Sequence, residues 1–156
     1  MSVKSQFLEK LQIRQSALAS SVSKSQADIA EFRLRMTQLQ EQMDAWLVST
    51  GLNVETLSTS VMDLLVEGGA FDIAALVLRI DDRSVKFVPV FLYGQGVTGC
   101  VEANFHNGGL VTPLGRLFMR SGTMNKWTFT PPGALSTSGQ GFDENTFFGL
   151  ILALLP

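Results

Sequence analysis

The chain has 156 residues, 46% hydrophobic and 17% charged, with a formal charge of −2. These values exclude a disordered chain, a collagen-like repeat and a histone-like basic protein. All 14 glycines and all 5 prolines lie at position 51 or later. The sequence therefore divides into a glycine- and proline-free segment, 1–50, and a turn-rich segment, 51–156.

The first segment carries a sustained heptad. Alternating steps of three and four visit Leu8, Leu11, Gln15, Leu18, Val22, Ser25, Ile29, Phe32, Met36, Leu39, Met43 and Trp46, and ten of these twelve positions are apolar. A 3.5-residue repeat returns apolar pairs to one seam, as a left-handed coiled coil requires. Gln15 and Ser25 interrupt the seam and are expected to set register. Asp28 and Arg33, at successive g and e positions, would pair across a parallel dimer. A helix over 3–48 would be about 70 Å long, against roughly 30–35 Å for the rest of the chain. It could not bury its seam there alone. The sequence thus predicts an oligomer interface at Leu8, Leu11, Leu18, Val22, Ile29, Phe32, Met36, Leu39, Met43 and Trp46. An antiparallel helical hairpin, broken at the serines of 19–24, is the competing reading. The unshifted heptad and the lack of Gly or Pro favour the continuous helix.

The second segment reads as α+β. Gly51 suits a helix C-terminal cap. Residues 61–67 form a short strand or helix that periodicity cannot assign. Strands are expected over 71–80 and 84–93, turned at 81–83. Pro89 cannot donate to a ladder and belongs at an edge or bulge. Two more strands, 97–105 and 110–120, flank the hairpin signal Asn107-Gly-Gly109. A short fifth strand, 127–130, stops at Pro131-Pro132-Gly133, and residues 135–141 form a polar loop. Asp143 caps a terminal helix whose apolar run is 147–155, with Phe142 and Phe147 at staple positions. The expected fold is a long N-terminal coiled-coil helix, or helical hairpin, then a small antiparallel β-meander with the C-terminal helix packed on it.

The chemistry-bearing residues are few. Cys100 and His106 are the only cysteine and histidine. An internal disulfide and a cysteine-based zinc site are therefore impossible. On one strand the two would lie about 20 Å apart, too far for a thiolate–imidazole pair. Gly94-Gln-Gly-Val-Thr-Gly99 matches the dinucleotide-binding glycine pattern, but a strand follows it where a helix must begin. A glycine-rich turn or bulge is the better reading. Glu102, Arg79, Arg116 and Arg120 alternate with apolar residues. All four could face a pocket or partner, and the arginines, clustered on one sheet face, could bind an anionic ligand or acidic peptide; cross-strand ion pairs on a solvated sheet face are the favoured reading. No catalytic residue, metal site or cofactor is assigned.

Neither segment has the basic field that nucleic acid needs. No secretory leader or membrane span is legible, so a cytoplasmic protein is expected. The composite expectation is a non-catalytic bacterial or phage accessory protein. It self-associates through 1–50 and binds a protein partner, as an inhibitor, immunity protein or secretion chaperone would. Two alternatives stand beside it. One is a small ligand-binding or catalytic domain assembled by a coiled coil. The other is a phage or fibre structural component.

Overall fold

The computed structural model describes residues 3–63, 66, 69–94, 97–120, 126–133 and 140–155, with side chains throughout except at 14–23 and 120. Helix α1 spans Val3–Trp46. Seven strands follow: β1 (Glu55–Met62), β2 (Ala70–Ile80), β3 (Arg83–Gly94), β4 (Val97–Asn107), β5 (Leu110–Arg120), β6 (Trp127–Thr130) and β7 (Gln140–Gly141). Helix α2 (Glu144–Ile151) and a 3-10 turn (Leu152–Leu154) complete the described chain. The strands pair antiparallel in sequence order, so the sheet is a seven-stranded meander. The fold class is α+β.

Strands β2 to β6 follow the apolar–polar alternation of the sequence. Alternate residues such as Leu76 and Leu78, Val85 and Phe87, Val101 and Ala103, and Leu117 and Met119 point to one face and are buried. The expected four or five strands are nevertheless seven. β1 reads Glu-Thr-Leu-Ser-Thr-Ser-Val-Met and buries only Val61. An edge strand with so little burial carries almost no hydrophobic periodicity. The ambiguous stretch from Val61 divides: Val61 and Met62 finish β1, and Asp63, Val66 and Gly69 close a hydrogen-bonded turn. Most of the expected polar loop, 135–139, lies outside the described residues, and its last two positions form β7. Pro89 lies within β3, beyond the end of β2 pairing at Phe87, and a register shift separates it from Phe91. The bulge accommodates its missing donor.

The sheet curls around α1. Phe32 stands 6.4 Å, ring to ring, from Phe71 on β2 and from Trp127 on β6. In a flat sheet these strands would lie about 19 Å apart. Coiling of the sheet brings both onto one side chain. Gly99 lies beside the same ring, since a Cβ there would meet Phe32 Cδ1 at 3.2 Å.

Helix α2 closes the rest of the concave face. The Asp143 carboxylate accepts from the Thr146 backbone N–H at 2.8 Å, which satisfies one free donor of the first turn and lowers the Asp143 pKa. Phe142 and Phe147 stand 6.3 Å apart. Phe147 also packs against Trp46 at 5.3 Å and Phe87 at 6.4 Å. Both helices thus share one core with the sheet.

The heptad assignment requires correction over its second half. Ile29, Phe32, Met36, Leu39 and Met43 are buried in the core of their own chain, together with Leu47, which the heptad omits. Trp46 is half-buried against Phe142 and Phe147. The step from Met43 to Leu47 is four residues where a strict heptad requires three. A straight helix lying on a sheet repeats every 3.6 residues, which is close enough to 3.5 to imitate a coiled-coil seam over three or four turns. The proposed parallel pair is also spent within the chain. Asp28 accepts from the Tyr93 hydroxyl at 2.5 Å, and Arg33 Nε donates to the Asp72 carbonyl at 2.9 Å. Helix α1 ends at Trp46, before the Gly51 cap expected from the sequence, and Ser49 (φ 75°) and Gly51 (φ 79°) turn the chain toward β1.

Candidate functional site

Two features stand apart from the core. The first is the N-terminal part of α1. Phe7, Leu8, Leu11 and Ile13 are exposed, Leu8 at 52% and Leu11 at 38%. Leu8 and Leu11 hold the same heptad positions that the sheet covers from Ile29 onward. Leu18 and Val22 lie outside the residues whose side chains are described.

The second feature is a cleft of about 430 Å³ on the face of the sheet turned away from α1. Glu102, Arg116, Phe118 and Thr130 alternate with the core residues Val101, Leu117 and Phe129, so they point away from the core. Glu102 and Arg116 are register partners on β4 and β5. Arg116 Nη2 donates to Glu102 Oε2 at 3.2 Å, and Asn104 Nδ2 donates to Glu102 Oε1 at 3.0 Å. Pro113 borders the cleft on one strand, and Pro131, Pro132 and Gly133 border it after β6. Thr130 is buried, and its hydroxyl has no hydrogen-bond partner among the described residues.

Local sequence creates the cleft. A register shift between Ala103 and Asn104 leaves Leu114 unpaired, and Gly115 follows at φ 141°. A Cβ on Gly115 would stand 2.5 Å from the Phe129 ring. Glycine is required there both by φ and by the ring that covers it. The bulge turns β5 beside the proline turn, and the space between them is the cleft.

Two of the arginines form cross-strand ion pairs on the solvated sheet face, the favoured of the two expectations. Arg79 pairs with Glu55 at 2.8 Å across β1 and β2, far along the sheet from Glu102. The Arg120 side chain lies outside those described. Among the described side chains of the four candidates, only Glu102 and Arg116 come together. The proline wall was not anticipated, because Pro131-Pro132 registers in sequence only as the end of a strand.

Cys100 and His106 lie apart. Cys100 is opposite Phe91 and Phe118, while His106 is opposite Ser84 and Val111. The Cys100 thiol is fully buried, and desolvation pushes its pKa up to about 12. A protonated, inaccessible thiol is no nucleophile. Burial lowers the His106 pKa, with Lys86 adding to the effect. Gly94 and Gly99 end β3 and lie within β4, and residues 95–96 are outside the description. β4 continues where a phosphate-binding helix would start.

A hollow of about 700 Å³ lies between Gln42, Trp127 and the start of α2. Its helix terminus is already capped by Asp143. Among the described residues no group of three or more His, Cys, Asp or Glu could hold a metal ion, and no helix is long and apolar enough to cross a membrane. Comparison with protein-family models, curated proteins and solved structures finds no match to this chain.

Proposed function

We propose that the protein is a non-catalytic assembly module that self-associates through the N-terminal part of α1 and presents its β-sheet to a protein partner. One observation carries this reading: Leu8 and Leu11 lie exposed with Phe7 on one side of α1. A contiguous apolar patch of this kind marks an interaction site. Burial of the later heptad positions shortens the proposed interface to the segment before Ser25. The inert Cys100 and the isolated His106 argue for binding rather than covalent chemistry. An inhibitor, an immunity protein, a secretion chaperone and a fibre component would each use this layout.

Light scattering on the full chain across a range of concentrations tests the self-association. The reading expects a mass that is an integral multiple of the monomer, falling on dilution. A monomer at every concentration would refute it. A second reading, small-ligand binding, draws on the Glu102–Arg116 cleft.

A further inference from the structure

We infer that the Glu102–Arg116 cleft is a binding site for a neutral saccharide, independent of the helix that serves assembly. The charged pair is its recognition element. Glu102 and Arg116 remain 30% and 50% exposed as side chains while paired to each other. Together they carry no net charge, so the cleft selects neither anions nor cations by its field.

The pair does offer strong acceptors beside strong donors. Each Glu102 oxygen accepts one described hydrogen bond and has a further lone-pair site, and a guanidinium carries five N–H donors. A vicinal diol has the complementary arrangement. One hydroxyl donates to the carboxylate while its neighbour accepts from the guanidinium, and both bonds are charge-assisted.

The rest of the lining suits a sugar ring. Saccharides have a polar rim and an apolar C–H face. Phe118 lies at the base of the cleft, and Pro113, Pro131 and Pro132 supply apolar edges without N–H groups. Asn104 and Arg116 hold the carboxylate, and the prolines limit backbone motion, so the site is pre-formed. The volume is at the lower end for small-molecule sites and takes one or two rings. An extended peptide could satisfy the same donor and acceptor, but it would lay amide groups against the apolar proline edges, where a sugar places its C–H face.

Saturation-transfer NMR on the full chain tests the inference. The probes are glucose, galactose, mannose and N-acetylglucosamine, with inorganic phosphate and an acetylated dipeptide amide as controls. Transfer to at least one neutral sugar is expected. Glu102→Ala and Arg116→Ala should each weaken that sugar's binding by about tenfold or more, and Glu102→Gln, which keeps one acceptor, by less. Thermal melts of all three variants should stay close to the parent's, since the pair is partly exposed and such ion pairs contribute little to stability. Transfer to phosphate or the peptide amide alone, to no probe, or to a sugar with unchanged affinity in both alanine variants would each overturn the assignment. None of these results bears on the mass of the assembly, so the two readings fail separately.

Discussion

Phe32 on α1 occupies the space that a side chain at Gly99 on β4 would need. A Cβ at Gly99 would lie 3.2 Å from Phe32 Cδ1 and 2.9 Å from Met119 Sδ, and the residue adopts φ 122°. Two constraints thus converge on one glycine. The backbone angle disfavours any L side chain, and the helix presses an aromatic ring against the position. This contact helps fix where α1 crosses the curled sheet.

Replacing Gly99 by Ala should therefore destabilise the fold by about 2–4 kcal/mol, combining backbone strain with overpacking. Denaturant unfolding measures this directly. A loss below about 0.5 kcal/mol would mean that the ring and the strand separate without cost, and that α1 is held elsewhere.

The Cys100 thiol should be inert in the native protein. With its pKa at about 12 and no exposed surface, an aromatic disulfide reagent at pH 8 should label it only as the protein unfolds. The labelling rate should rise with denaturant in step with the folding transition. Fast labelling without denaturant would contradict the burial on which the non-catalytic reading partly rests.

Stability should fall at alkaline pH, partly through Tyr93. Burial raises the Tyr93 pKa above its ordinary value of 10.0, reinforced by the hydrogen bond to Asp28. A raised acid pKa means that the folded state keeps a proton which the unfolded state has lost. The contribution is complete below pH 10 and disappears as pH rises through the folded-state value. Cys100 acts with the same sign between its ordinary 9.0 and about 12. The Tyr93→Phe variant should flatten the decline above pH 10 and leave the Cys100 share. Chemical denaturation at several pH values decides this, and identical slopes in parent and variant would contradict the Tyr93 assignment.

Much of the fold is legible because strands β2 to β6 alternate cleanly and α2 has both an acidic cap and an aromatic staple. β1 is not, because a Ser/Thr-rich edge strand that buries only Val61 leaves no pattern. The helix shows a subtler limit. Ile29 to Met43 fit a coiled coil and a sheet-packed helix equally well, since 3.5 and 3.6 residues per turn diverge by only about 20° per heptad. Leu47 breaks the tie, and it is buried in a core shared with the sheet and α2, whose residues reach as far as Leu154 in sequence. At the cleft, the alternation of Glu102 and Arg116 was visible. The bulge at Leu114 that brings them beside Pro131 and Pro132 was not, because register shifts have no one-dimensional signature.

The later turns of α1 complete the core, and in the proposed assembly its first turns join copies of the protein. Sedimentation velocity on the Leu8→Glu/Leu11→Glu double variant tests that assembly most directly. Both residues are exposed, so the variant should keep the parent's far-ultraviolet circular dichroism while sedimenting as a smaller species. Parent and variant sedimenting alike would contradict it.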